Sequence, residues 1–74
     1  MKEITFIITQ DEPDGGFAAR AHWPAGNRDI FTDGNDRDEL IRNIKEAIDA
    51  SFDGNEEKPE LIHLHFIRDE VIAR

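Results

Sequence analysis

Three histidines are the residues of this sequence whose type and spacing come closest to a chemical site. His63 and His65 are separated by one residue in the run LIHLHFI, residues 61–67, and His22 ends the run FAARAH, residues 17–22. If both runs are strands, His63 and His65 share one face, and His22 could lie on that face too. Three imidazoles with an open fourth position would suit zinc. Since His-x-His pairs also occur as ordinary polar strand residues, and sequence alone does not bring His22 beside them, no metal site is predicted.

No catalytic constellation accompanies the histidines. The chain has no cysteine, Ser51 falls near the end of a helical pattern, and no glycine-rich phosphate loop follows a strand. The acidic run DGNDRDE, residues 33–39, resembles a calcium loop only superficially, because Arg37 stands at its fifth position and Asp38 replaces the glycine at its sixth. The sequence therefore predicts no enzyme, no catalytic residue and no cofactor.

Length and charge restrict the partners. Seventy-four residues make one domain, 1–74, of a size that buries only about 60% of its unfolded surface, so a partner or a second copy is expected to stabilise it. Asp and Glu number 17 against 9 Lys and Arg, giving a net charge of -8 that repels nucleic acid and favours a basic protein partner. The N-terminus does not resemble a signal peptide, and no apolar run is long enough for a membrane span. We expect a soluble cytoplasmic protein.

Four apolar runs have the alternation of strands. KEITFIIT and FAARAH flank a Pro13–Gly15–Gly16 turn and predict a hairpin, DIFT predicts a brief third strand after a loop through Pro24 and Gly26, and LIHLHFI predicts a fourth strand. The last residues, RDEVIAR, leave open a further short edge strand.

One helix is predicted at about residues 37–52. Asp36 is a natural N-cap and Glu39 completes a capping box. Its apolar face is formed by a row at helical spacing, namely Leu40, Ile44, Ile48 and Phe52. Gly54 is expected to end the helix as the left-handed residue that follows it.

The predicted fold is α+β, two layers in the order β-β-β-α-β, with a small mostly antiparallel sheet and one helix on one face. The second face of the sheet is then uncovered, and its mixed apolar and polar character suits a protein interface. We predict partner-binding residues there and in the loop after the second strand: Ile7, Arg20, His22, Trp23, Leu61, His63, His65 and Ile67. Trp23 is equally compatible with a lid on the core. At least a homodimer is expected.

The order of these features resembles the HicB-like antitoxin family. The matching residues are Asp14-Gly15-Gly16-Phe17, Ala19, Pro24, Thr32, Glu39-Leu40 and Asn43-Ile44-Lys45-Glu46-Ala47-Ile48, over roughly the first three quarters of the chain. The resemblance implies a partial RNase H-like fold and a non-catalytic role in binding a small basic RNA-cleaving toxin of the HicA type. HicB antitoxins typically continue into a DNA-binding segment, and since this sequence stops at Arg74, repression on DNA is not carried over. The alternatives are a small histidine-based metal- or ligand-binding homo-oligomer and an enzyme accessory subunit.

Overall fold

The computed structural model describes residues 2–11, 15–24, 26–52, 54, 58–67 and 72–74. Four strands and one helix follow in the predicted order: β1 Glu3–Asp11, β2 Gly16–Trp23, β3 Arg28–Gly34, α1 Arg37–Ser51 and β4 Leu61–Ile67. The predicted α+β fold with one helix on a four-stranded sheet is confirmed. The further strand predicted near the C-terminus falls on residues 68–71, which lie outside the described residues, and residues 72–74 are not in a strand.

The sheet has the strand order β3-β2-β1-β4. β1 pairs antiparallel with β2, and β2 antiparallel with β3, whereas β4 runs parallel to β1. The chain leaves β3 at one edge, passes through α1 and returns as β4 at the opposite edge. Parallel strands need such a crossover, which explains why the only helix in the described part of the chain stands between β3 and β4.

Turn chemistry matches the two hairpin connections. Gly15 has φ 74°, the left-handed conformation that a glycine adopts without strain. In the next connection, the Asn27 N–H donates to the Pro24 carbonyl at 3.0 Å, and Gly26 has φ 83°. Both predicted reversals are therefore present, although Pro13 lies outside the described residues.

The core lies between α1 and one face of the sheet. Alternate residues of β1 and β2 and the predicted helix row meet there, and the buried set is Ile4, Phe6, Ile8, Ala19, Ala21, Trp23, Ile30, Leu40, Ile44, Ile48 and Phe52. The backbone of α1 lies closer to β3 and β2 than to β4, and Ile62 and Leu64 of β4 are only partly buried against the core. Coverage of the sheet is therefore uneven, being complete near β3 and partial near β4.

The helix begins at the predicted N-cap, Asp36, although the Glu39 side chain accepts from Asn35 Nδ2 at 3.5 Å and the return bond of the predicted capping box is not formed. Asp36 is extended and its Oδ1 accepts a hydrogen bond from the Glu39 N–H at 2.8 Å. One turn later, Asn43 Nδ2 donates to the Asp33 carbonyl at 2.8 Å, which ties α1 to the end of β3. These two hydrogen bonds hold α1 close to the end of β3, and only two residues separate the strand from the helix.

The predicted end of the helix is wrong in its mechanism. Gly54 is not left-handed, since Gly15 and Gly26 are the described glycines with positive φ. The helix instead stops because Phe52 turns extended, at φ -117° and ψ 134°, and its ring packs edge-on against Trp23 at 5.4 Å between centroids. Arg28 of β3 donates to the Ser51 carbonyl and lies 4.8 Å from the Phe52 ring centroid. The buried Phe52 ring and the Arg28 cation at the helix C-terminus therefore take the place of a glycine cap.

Candidate functional site

The sheet surface opposite α1 is the largest part of the fold without a covering element among the described residues, and we call it the open face. Strand alternation and register assign to it Glu3, Thr5, Ile7 and Thr9 of β1, Ala18, Arg20 and His22 of β2, Asp29, Phe31 and Asp33 of β3, and Leu61, His63, His65 and Ile67 of β4. Alternation alone predicted the part of this face that β1, β2 and β4 supply, but not the part that β3 supplies.

One row of the open face crosses all four strands. Phe31 is opposite Arg20, Arg20 is opposite Ile7, and Ile7 is opposite His65. The row therefore places an aromatic ring at one edge, a guanidinium and an aliphatic side chain in the middle, and an imidazole at the other edge. Such a mixture is typical of protein interfaces, in which aromatic residues and arginine are enriched.

The β3 edge of the open face is aromatic and acidic. Phe31 is 72% exposed, which is unusual for a large apolar side chain in the middle of a strand. Asp29 and Asp33 flank it at two residues on either side and share its face. Asp29 Oδ1 also lies 2.7 Å from His22 Nδ1 on the neighbouring strand. This edge combines an apolar anchor with two carboxylates.

The β4 edge is mainly apolar, and β4 itself contains no Asp, Glu, Lys or Arg. Leu61 is 44% exposed and Ile67 41% on the open face, while Phe66 is 46% exposed on the opposite side, where its ring meets Phe17 edge-on at 5.9 Å. His63 Nε2 lies 3.2 Å from Glu3 Oε1 of β1. The two edges of the sheet therefore differ in chemistry, and they suit different partners.

The three histidines do not converge on one point. His63 is opposite Thr5 of β1, and continuing the β1–β2 register places His22 opposite Thr5 on its other side. One strand therefore separates His22 from His63, and the cross-strand distance is about 10 Å for two strand spacings. In the described part of the chain, no group of three His, Asp or Glu side chains is arranged to hold a metal ion.

Of the two roles predicted for Trp23, partner binding and a lid on the core, its burial favours the lid. Trp23 is 8% exposed and occupies the last inward position of β2, where Phe52 covers it. The remaining predicted residues, Ile7, Arg20, His22, Leu61, His63, His65 and Ile67, all lie on the open face. Sequence reasoning missed Phe31. The adjacent pair Ile30-Phe31 contained the signal, because two neighbouring apolar residues of a strand point to opposite faces, and Ile30 is the buried one.

The described helix does not have the length and apolar character required to cross a membrane.

Comparison with known proteins identifies a relative over nearly the whole chain. A UPF0150 protein of Thermotoga maritima (strain ATCC 43589 / DSM 3109 / JCM 10099 / NBRC 100826 / MSB8) is 38% identical over 72 residues, which cover 97% of this chain and 93% of the relative. No family model matches the chain, and no solved structure matches it. An identity of this size over this length shows that the chain belongs to the UPF0150 family, the HicB-like family to which the sequence motifs pointed.

Proposed function

We propose that this protein is a non-catalytic binding module of the HicB antitoxin type, which binds and neutralises a small basic RNA-cleaving toxin of the HicA type. The observation that carries the proposal is the open face, and within it the β3 edge, where the exposed Phe31 stands between Asp29 and Asp33. Aromatic side chains that become buried at the centre of an interface, surrounded by contacts that exclude water, are common interaction hot spots.

Charge supports a basic partner. The chain has a net charge of -8, and the β3 edge of the open face presents two carboxylates beside its apolar anchor. Opposite net charges accelerate association and disfavour partners of like charge. A basic ribonuclease meets this requirement, because it must itself attract a phosphate backbone.

Direct binding to a toxin tests the proposal. Every HicA-type protein encoded in the source organism, made with its active site inactivated, is titrated with this protein in a calorimeter. Active toxin is then assayed for RNA cleavage with and without a molar excess of this protein. We expect binding at micromolar concentration or tighter and loss of cleavage. The proposal is overturned if the genome encodes no HicA-type protein, or if none is bound and none is inhibited.

Variants locate the contact. Phe31→Ala should weaken toxin binding at least about tenfold, since a central aromatic anchor contributes more than 1 kcal/mol. Asp29→Asn with Asp33→Asn should weaken it most at low salt. Glu46→Gln with Asp49→Asn is the matched control, because it removes the same two charges from the exposed side of α1. If both double variants lost the same toxin affinity, the effect would come from net charge and not from a contact at the β3 edge.

A further inference from the structure

β4 combines two properties that rarely occur together in a marginal monomer. Five of its seven residues are Leu, Ile or Phe, and the other two are histidines, so the strand carries no Asp, Glu, Lys or Arg. All seven residues are described, and none of them is buried. The most apolar strand of the fold is thus the least protected from water.

The position of β4 explains this exposure. It is an edge strand that pairs with β1 on one side and has no described neighbour on the other. The open face leaves Leu61 and Ile67 uncovered, and α1 lies too far toward β3 to cover the opposite side completely, where Ile62 and Leu64 are half-buried and Phe66 is exposed. A long apolar edge without charge, proline or bulge is a template for pairing with another strand.

Charge selects the occupant. Two copies of this chain each have a net charge of -8 and repel each other unless they meet where charge is absent. The seven residues of β4 are such a place. β3, the other edge of the sheet, carries Arg28, Asp29 and Asp33 and is less suitable for contact between identical chains.

We propose that β4 pairs antiparallel with β4 of a second copy to form one continuous eight-stranded sheet. The two-fold axis passes between the two copies of Leu64. A two-fold axis perpendicular to the sheet makes the pairing self-complementary and keeps both open faces on the same side. Residues that lie directly opposite each other in this pairing share a face of the sheet. With Leu64 opposite Leu64 of the partner subunit, each of the seven residues of β4 has a residue opposite it.

In this register, apolar residues lie opposite apolar residues and histidine lies opposite histidine. On the helix side, Leu64 meets its own copy and Ile62 meets Phe66 of the partner subunit. On the open face, Leu61 meets Ile67 of the partner subunit and His63 meets His65 of the partner subunit. Apolar pairs and aromatic–aliphatic pairs across strands are favourable, and no charged pair is formed. The contact also leaves Phe31 free, since β3 lies at the far edge of each copy.

Disulfide trapping tests both the edge and the register. Because the chain has no cysteine, Leu64→Cys introduces a single thiol on the proposed axis. Directly opposite residues of antiparallel strands have Cα atoms about 4.5–5.5 Å apart, within the range of a disulfide. We expect most Leu64→Cys protein to run as a covalent dimer after mild oxidation. Phe31→Cys on the other edge strand is the matched control and should remain monomeric under denaturing conditions.

A charge exchange provides a second test that does not use cysteine. Ile67→Glu should raise the dimer dissociation constant at least about tenfold, because it places a carboxylate against Leu61 of the partner subunit. Leu61→Lys added to Ile67→Glu should restore most of the affinity, since each lysine then faces a glutamate of the other copy. The double variant has the same net charge as the natural protein, so the dissociation constants of the two can be compared without a difference in overall repulsion.

Three results overturn the inference: natural protein that sediments as a monomer at high micromolar concentration at pH 8, covalent dimers of Phe31→Cys but not of Leu64→Cys, or no recovery in the double variant. Circular dichroism of each variant identifies those that fail to fold, and a folded Leu64→Cys monomer that does not cross-link also contradicts the pairing. The inference is independent of toxin binding, which these measurements do not involve.

Discussion

Gly34 and Leu40 are in closer contact than any larger residue at position 34 would permit. A Cβ atom added to Gly34 would stand 2.5 Å from the Leu40 backbone nitrogen and 2.6 Å from its Cα. Gly34 ends β3 and Leu40 lies in the first turn of α1, so the contact is between the backbones of the two elements that the chain joins most abruptly. Because a backbone cannot move aside as the end of a long side chain can, the helix packs on β3 only with glycine at this position.

Gly34→Ala should therefore lower the free energy of unfolding by roughly 1–3 kcal/mol or more, the usual effect of overpacking a tight contact. Urea denaturation followed by circular dichroism measures this change. Gly54→Ala is the control: nothing lies within 4 Å of a Cβ added there, and Gly54 has no left-handed φ. Its unfolding free energy should stay the same or rise slightly. If Gly54→Ala lowered the free energy of unfolding as much as Gly34→Ala, the result would support the glycine-capped helix end that the sequence predicted.

Leu40→Ala and Ile44→Ala should each destabilise the fold by roughly 2–5 kcal/mol, since both side chains are fully buried between α1 and the sheet. In a domain of this size, such a loss approaches the whole stability. Glu46→Ala, on the exposed side of the same helix, is the control and should change stability by less than about 0.5 kcal/mol. If both core variants cost less than about 0.5 kcal/mol, the helix packs through another face.

The sequence predicted the elements of this fold well because local rules determine them. Asp36 and Glu39 mark the start of α1, and the predicted range 37–52 differs from the observed helix by one residue. Period-2 alternation placed the predicted residues of β1, β2 and β4 on the open face, since one register follows from the burial of Ile4, Phe6 and Ile8.

Long-range contacts are the part that sequence did not predict. The end of α1 depends on Trp23 and Phe52, which are 29 positions apart in the sequence and meet only after the sheet has formed. The place of β4 beside β1, and not beside β3, depends on the path of the crossover. The separation of His22 from His63 follows from that strand order, which no local pattern determines. The close contact at Gly34 likewise needs two elements to be in place.

Purified protein should neither cleave RNA nor bind nucleic acid tightly at physiological salt. The net charge of -8 opposes the counterion release that drives such binding, and the described residues contain no carboxylate cluster of the kind that holds catalytic metal ions. Fluorescence anisotropy with a labelled duplex and a labelled RNA, together with a gel assay for cleavage, measures both properties. Duplex binding at micromolar concentration, or nuclease activity that survives a second purification, would contradict this prediction.

The dimer should weaken as the pH falls from 8 to 5. In the proposed pairing, His63 of each copy faces His65 of the partner subunit, giving two such pairs on the open face. Among the described groups, Glu3 is the charged side chain that contacts one of them, at 3.2 Å from His63, while Thr5 and Ile7 are the uncharged β1 residues opposite His63 and His65. A single carboxylate per copy offsets only part of the charge that two protonated imidazoles add.

The sign of the pH effect follows from proton linkage. Protonation would place two positive charges directly opposite each other in the dimer, which is unfavourable, so the dimer binds fewer protons than two separate copies. Association is therefore stronger at pH 8 than at pH 5. With about 0.2–1 kcal/mol for each like-charged pair, the dissociation constant should rise roughly 2- to 30-fold between pH 8 and pH 5. Sedimentation velocity measures it, with circular dichroism to confirm that the protein stays folded. His63→Gln with His65→Gln should remove the dependence, whereas His22→Gln should retain it, because β1 separates His22 from β4. A dimer insensitive to pH would exclude the histidines from the interface without excluding the pairing of β4.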